Sequence, residues 1–328
     1  MKIIHLKFQN NNSNLKKLNK KEIVAAIGNF DGVHTGHQKL FKEAKKEAEK
    51  RKFPFAVISF DPHPRDYFSK GKDNFKITDN FEKQRLIKSF NTDIFISVSF
   101  NEDLRNLEPK DFIEIILKKN LNVKVIFSGK NFRFGKNRSG SLIDTEEFFK
   151  KFTIEPRSCE LLETDNKEVI SSEFIRENIK LGEFKKIKLL LGREWAITGM
   201  VEHGNKNGIK LGFPTANLIL SDLIEPNFGV YLSSTFVMSK CGQNIISEEL
   251  PSITNFGVRP TINGKKPVFE THILDIENFL EDKNLYYKRI YVKLKSYIRP
   301  EKKFSSLDDL KFQIRKDIKF AKDLHSNK

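Results

Sequence analysis

Strand-like and helix-like segments alternate through the first half of this 328-residue chain, and strands take over in the second half. That change predicts an α/β domain built on a parallel sheet, followed by an all-β domain, an antiparallel barrel with a C-terminal helix. The length agrees, because one domain usually takes roughly 100–200 residues. Two domains are expected, over 1–186 and 187–328. With 38% hydrophobic and 31% charged residues, each has enough apolar material for a core, which excludes a disordered chain.

The α/β grammar begins at 22–30, EIVAAIGNF, a short apolar run broken at Gly28, as in a strand buried on both faces. From Gly36 onward Leu40, Phe41, Ala44 and Ala48 recur at helical spacing, while lysines and glutamates fill the other face. FAVISF (55–60) reads as the next strand and DNFEKQRLIKSF (79–90) as a helix, with Asp79 and Glu82 spaced for a capping box. DIFISVSF then supplies a strand. EPKDFIEIILKKN (108–120) places Pro109 in the first turn of a helix, and VKVIFSG (123–129) is another strand. Strands alternating with helices imply a Rossmann-like parallel sheet covered on both faces.

Near residue 172 the pattern shifts. SSEFIRENIKLG and EFKKIKLLLG read as short helices ended by Gly182 and Gly192, which puts a domain boundary near 182–192. WAITGMVEH, GVYLSSTFVM and RIYVKLKSYI are β-branched and aromatic segments between turn residues, the signature of an antiparallel barrel or sandwich. In the last helix Leu307, Leu310, Ile314, Ile318, Ala321 and Leu324 form one stripe after a Ser306 cap, and the stripe is expected to pack on the barrel.

The net charge of +16 admits three readings. Nucleic acid would explain it, as would small anionic substrates. The third is compositional, since Lys, Asn, Ile and Phe are enriched together, as an AT-rich genome imposes. Cys159 and Cys241 stand far apart with no zinc-type spacing, which fits a reducing compartment. The first residues, MKIIHLKFQNNNSN, lack an apolar core of signal-peptide length, and no run of about 18 apolar residues occurs. A cytoplasmic protein with no membrane partner is expected.

The stretch GNFDGVHTGHQ (28–38) carries the first chemistry. Gly28 and Gly32 allow close backbone approach, and a helix starting near Gly36 points free N–H groups and partial positive charge at the loop. His34 and His37 at that helix start can donate to phosphate oxygens. By itself the stretch also fits an ordinary Asp-Gly turn with two loop histidines.

Placed between a buried strand and an amphipathic helix, this stretch resembles the HxGH phosphate-binding signature of the nucleotidyltransferase superfamily. SFDPHPRDYF (59–68), GKNFRFGKNRSG (129–140) and ISSEFIR (170–176) follow in order and resemble the adenylyltransferase domain of bacterial bifunctional riboflavin kinase/FAD synthetases. LLGREWAITGMVEHGNKNGIKLGFPTANL (190–218), NFGVRPTING, FETHILD and IRPEKKFSSLDDLKFQIRKD are similar to the riboflavin kinase part of the same family. The resemblance spans essentially the whole chain. It implies a nucleotidyltransferase-type sheet and a riboflavin kinase-type barrel, with ATP, riboflavin and FMN as substrates, FAD as product and Mg²⁺ as cofactor.

The resemblance implies His34 and His37 as catalytic residues of adenylyl transfer, with Gly28, Asn29, Phe30, Asp31, Gly36, Asn131, Ser172 and Arg176 around ATP. That reaction has a phosphate as nucleophile, already anionic at neutral pH, so positioning and charge neutralisation must do most of the work. The kinase step starts from a hydroxyl, a very weak acid, and Glu270 of FETHILD is the implied base. Alternation puts Glu270, His272 and Leu274 on one face of that strand, so a solvated strand glutamate is the plain alternative. In GFPTANL, Gly212, Thr215 and Asn217 are implied at ATP, and the Thr215 hydroxyl and Asn217 carbonyl are hard oxygen donors suited to Mg²⁺.

Two positions depart from the family pattern. Glu173 stands where many relatives have threonine, and an anion there could repel a triphosphate. Tyr287 stands where the family commonly has glycine. Three functions are therefore weighed: a bifunctional flavin enzyme, a riboflavin kinase with a weakened adenylyltransferase half, and a basic nucleic-acid-binding or regulatory protein on the same scaffold. The first needs no nucleic acid, and a monomer or weak homo-oligomer is expected.

Overall fold

The structure, a computed structural model, describes residues 1–9, 21–203, 208, 211–219, 222–240, 242, 244–261, 264–278 and 284–326. Cys241 and most of the glycine-rich stretch before Gly212 lie outside the described residues. The chain divides into two units, one of Met1–Asp73 with Lys83–Ser172, the other of Asn74–Glu82 with Glu173–Lys328.

In the first unit a six-stranded sheet runs in the order β1-β4-β3-β2-β5-β6, formed by β1 (Lys2–Leu6), β2 (Ile23–Ile27), β3 (Phe55–Asp61), β4 (Ile94–Ser99), β5 (Val123–Gly129) and β6 (Glu155–Cys159). Every pairing is parallel. All five residues of β2 are buried because both faces of the sheet are covered. Ile23, Ala25 and Ile27 join a core with Phe112, Ile113, Ile116 and Leu117. Val24 and Ala26 join the other face, against Leu40, Phe41, Ala44 and Ala48 of helix α1 (Thr35–Arg51). These four are the residues whose spacing predicts the helix.

The chain leaves β2 through α1 to β3 on one side, whereas β5 lies on the other side of β2. The gap between β2 and β5 is therefore the topological switch point, where open α/β sheets bind ligands beyond the strand ends. Between β3 and β4 come α2 (Pro64–Ser69) and α3 (Asn80–Lys88), and the amide of Glu82 donates to Asp79 Oδ1 at 2.6 Å, the Asp79 half of the expected capping box. The helix opened by Pro109 passes into π-helical geometry over Phe112–Asn120.

Besides Asn74–Glu82, the second unit takes up two helices, Ser172–Leu181 from its second residue on and Phe184–Leu191, each followed by a glycine at positive φ, Gly182 at 76° and Gly192 at 67°. Its strands are β7 (Trp195–Met200), β8 (Ala216–Ile219), β9 (Gly229–Val237), β10 (Leu250–Thr261), β11 (Gly264–Ile273) and β12 (Arg289–Pro300). They form an antiparallel sheet ordered β7-β12-β9-β10-β11-β8. The Glu202 amide, just past β7, donates to the Asn217 carbonyl on β8 at 3.1 Å and so joins the two ends of the order. A sheet that closes on itself loses its exposed edges. Inside, Phe256 stacks on Phe269 with centroids 4.3 Å apart. The Ser233 hydroxyl meets those of Ser252 and Thr254 at 2.8 Å each, and Thr254 meets Thr271 at 2.9 Å. All four residues are buried, so the hydroxyls satisfy one another.

The C-terminal helix (Leu307–Ser326) starts at Ser306, whose Oγ accepts from the Asp309 amide at 3.1 Å, as the sequence predicts. It docks through the middle of the predicted stripe, and the two ends of the stripe are exposed. Leu307 is 67% exposed and Leu324 36%, while Ala321 and Ile318 pack with Val230, Leu232 and Ile253. Beside that stripe, Asp317 is buried and takes Arg299 of β12, with Nη2–Oδ2 2.6 Å. A charged pair at low exposure fixes geometry more strictly than an apolar stripe does.

Candidate active sites

The loop after β2 holds an unusual backbone. Phe30 has φ of 51°, Gly32 78° and Val33 42°, so three of four consecutive residues lie in the left-handed region. For a β-branched residue such as Val33 that is an outlier, and each such non-glycine costs about 1–3 kcal/mol unless the surroundings impose it. The surroundings do. Ser59 Oγ on β3 donates to the Asn29 carbonyl at 3.2 Å, Ser172 Oγ donates to the Asp31 carbonyl at 3.0 Å, and the Gly28 amide donates to Ile58 O at 3.1 Å. Gly28 and Gly36 are glycines for lack of space. A Cβ at Gly28 would lie 2.9 Å from the Phe30 ring, and one at Gly36 would lie 3.1 Å from both Cε1 and Nδ1 of His34.

His34 is the N-cap of α1, its Nδ1 3.4 Å from the His37 amide, and its ring stacks on His37 at 3.6 Å. Phe30 meets His37 edge-on at 5.2 Å. His37 Nδ1 is buried with no hydrogen-bond partner among the described residues. Burial, the adjacent His34 and the charge of Lys83 hold the His37 imidazole well below the ordinary histidine range. A buried ring nitrogen without a partner, at a helix N-terminus, is poised for an oxygen anion. Asn131 lies just past β5, the strand beside β2, exposed at the switch point.

Arg176 falls in the second unit. It is buried, with Nε donating to Phe75 O at 2.9 Å and Nη1 paired with Glu173 Oε2 at 2.7 Å. Glu173, by contrast, has 63% of its side chain exposed. The family-atypical carboxylate therefore sits on the very guanidinium that the resemblance assigns to phosphate.

On the barrel, Phe269, Thr271 and Ile273 point inward and are buried, which leaves Glu270 and His272 on the opposite face as predicted. Leu274 keeps to that face as well, since the register places Val230, Leu232 and Ile253 on the same side as His272 and Glu270. It lies past the end of β11 and packs with Val230, Leu232 and Ile253. Glu270 is directly opposite Asn217 on β8 and Asn255 on β10, so the three share one face. Thr215 precedes β8 by one residue. His272 is tied to the Pro214 carbonyl at 2.7 Å, which anchors the GFPTANL turn to the strand of Glu270. Gly212 is exposed with φ of 90°. Tyr287, the second departure, adopts φ of 62°, a conformation that suits the glycine usual there.

Three residues are not singled out by motif. Ser59 and Asn255 open the quoted segments SFDPHPRDYF and NFGVRPTING, and only the structure shows what they face. Lys83 carries a signal, since 83, 86 and 87 share one helical face, and Leu86 and Ile87 are buried. Lys83 is itself only 7% exposed.

A phosphate-type loop at the switch point of a parallel sheet, together with a barrel presenting a carboxylate among amide and hydroxyl oxygens, defines a two-site phosphate-group transferase. The chain matches the FAD synthetase family over residues 16–174 and the riboflavin kinase family over 191–325. It is 37% identical to the bifunctional riboflavin kinase/FMN adenylyltransferase of Buchnera aphidicola from Schizaphis graminum, covering 94% of this chain and 96% of the relative. The Escherichia coli K12 protein of the same name is 33% identical, with 93% of each covered, and that of Bacillus subtilis is 32% identical over 100% of this chain and 99% of the relative. A crystal structure titled macrolide-efflux protein from Streptococcus pneumoniae superposes with a TM-score of 0.79 at 26% identity, covering 97% of this chain and 99% of that one. The chain belongs to the bifunctional riboflavin kinase/FMN adenylyltransferase family. Among the described residues no helix is long and apolar enough to cross a membrane.

Proposed function

We propose that this chain is one enzyme with two ATP-dependent activities, phosphorylating riboflavin to FMN in 187–328 and adenylylating FMN to FAD, with release of pyrophosphate, in 1–186. One observation carries the reading. Each family match falls largely on a separate unit, and each unit has the group its reaction needs, the stacked His34–His37 pair in one and Glu270 opposite Asn217 in the other.

For adenylyl transfer the FMN phosphate attacks the α-phosphorus of ATP, so no general base is required. His34 and His37 neutralise and orient the triphosphate, with the loop 28–36, Asn131, Ser172 and Arg176 as further ATP contacts. For the kinase step Glu270 takes the proton of the riboflavin 5′-hydroxyl as it attacks the γ-phosphorus. Thr215 and Asn217 would hold Mg²⁺ there through neutral oxygens, a donor set that fits a cation otherwise held by water and ATP phosphates. Bound, Mg²⁺ would neutralise charge on those phosphates. The protein is assigned to the cytoplasm as a monomer or weak homo-oligomer. A second reading, a kinase with a weakened adenylyltransferase half, is favoured by one observation, the Glu173 carboxylate on Arg176.

Timed separation of riboflavin, FMN and FAD tests both readings. The wild-type protein with riboflavin, ATP and Mg²⁺ should produce FMN and then FAD. Glu270→Gln should slow FMN formation about 10²- to 10⁴-fold while still converting added FMN to FAD. His37→Ala should do the reverse. Accumulation of FMN with no FAD from the wild type would leave only the kinase reading.

A further inference from the structure

Lys83 is a charged side chain in a place where charge is rarely found. It lies on the inward face of α3 at 7% exposure. Its Nζ is 3.3 Å from Ser59 Oγ, and that hydroxyl holds the carbonyl of Asn29 in the strained loop at 3.2 Å. Its charge also reaches His37, where it is one of the causes of the depressed basicity. Lys83 thus stands behind the phosphate loop, within electrostatic range of the ring whose Nδ1 has no partner among the described residues.

Resting on the adenylyl-transfer reading, we infer that Lys83 is a cationic residue of the triphosphate subsite, acting on the pyrophosphate that leaves. In the reaction a bond forms between an FMN phosphate oxygen and the α-phosphorus of ATP, and the bond from that phosphorus to the α,β-bridging oxygen breaks. The electron pair goes to the departing pyrophosphate. Its negative charge grows as the bond breaks, and a fixed ammonium in a site of low dielectric stabilises that growth more than it stabilises the bound substrate. Ser59 keeps the side chain in register with the loop. Lys83 adds a fixed cation behind the loop that carries the histidine pair.

The test uses the full chain and compares Lys83→Met, Lys83→Gln and Lys83→Arg with wild type in FAD formation and in its reverse, FAD plus pyrophosphate giving ATP and FMN. Removing a charge-assisted contact should lower kcat of FAD formation and raise KM for pyrophosphate, each roughly 10- to 100-fold, with KM for FAD changed less than about twofold. Arg should restore most of the loss. FMN formation in the same samples, with the thermal midpoint, reports folding. A folded Lys83→Met with wild-type KM for pyrophosphate would overturn the inference, as would equal damage to both KM values. Failure of both Met and Gln variants to fold would assign Lys83 to the fold and overturn it too. If the wild type forms no FAD, the adenylyl-transfer reading fails instead. Calorimetric titration with pyrophosphate, using His37→Ala to identify the site, then decides: weaker binding by Lys83→Met sustains the inference and equal binding ends it.

Discussion

Gly36→Ala should separate the stability of the protein from one of its activities. The residue sits in the first turn of α1 with no positive φ, so alanine is acceptable to the backbone and gains up to about 1 kcal/mol of helix propensity. Opposing this, the added Cβ would lie 3.1 Å from both Cε1 and Nδ1 of His34, tighter than side chains tolerate without moving. His34 cannot retreat freely, because its other face is stacked on His37 at 3.6 Å. The contact is relieved by tilting the ring, which roughly offsets the propensity gain. Net stability should therefore change by less than about 1 kcal/mol. The tilted imidazole, however, no longer aims at the phosphates, and a hydrogen bond to a charged group is worth about 1.5–3 kcal/mol. That corresponds to a loss of about 10- to 150-fold in kcat/KM for FAD formation. Urea denaturation gives the first quantity and FAD formation from added FMN the second. FMN formation from riboflavin serves as the control within the chain. Unchanged FAD formation, or an equal loss of FMN formation, would refute the argument that glycine at this position exists to seat His34.

Three other outcomes are expected. His37 has a folded pKa below its ordinary 6.5, so between the two values the unfolded chain binds more protons; this contribution to stability is complete above about pH 6.5 and is lost as pH falls through the folded value. Denaturant titrations across that window should show a shallower slope in His37→Gln, and an unchanged slope would contradict the assignment. Glu173→Thr should raise kcat/KM for FAD formation by freeing Arg176 Nη1, with little change in thermal midpoint because an ion pair with one partner 63% exposed contributes under about 1 kcal/mol; lower FAD formation would show that the carboxylate helps the site. Thr254→Val removes the hydroxyl that meets both Ser233 and Thr271 inside the barrel, at a cost of about 1–3 kcal/mol in urea denaturation, and a neutral result would mean that those two hydroxyls find other partners.

What a sequence reveals depends on how far apart the deciding residues are. The buried face of α1 is written within a dozen positions, and Leu40, Phe41, Ala44 and Ala48 are all in the core as their spacing requires. Asp79 caps α3 from three residues away. For the C-terminal helix the stripe gives the docking face through Ile318 and Ala321, but not the ion pair of Asp317 with Arg299, 18 positions upstream on β12. Apolar periodicity cannot register an ion pair. The phosphate loop is harder. Its histidines are legible as a motif, but the left-handed φ values of Phe30 and Val33 are imposed by Ser59, 30 positions along from Asn29, and Ser172, 141 positions from Asp31.

The contrast between the two candidate sites follows from their nucleophiles. A hydroxyl must lose its proton, so the kinase site needs one carboxylate, and a plain antiparallel register suffices to bring Glu270 beside Asn217. A phosphate nucleophile is already ionised, and what it meets on approaching ATP is repulsion between anions. Relieving that repulsion takes several fixed dipoles and cations converging on a small volume, an arrangement regular strands do not provide. On the proposed reading the loop of Phe30 and Val33 would do so, at a cost of about 1–3 kcal/mol per strained residue. Anchoring side chains from separate elements must offset that cost, which is why the strain persists. The adenylyl site has no proton transfer to fall back on, and its rate is set by the field that these groups create.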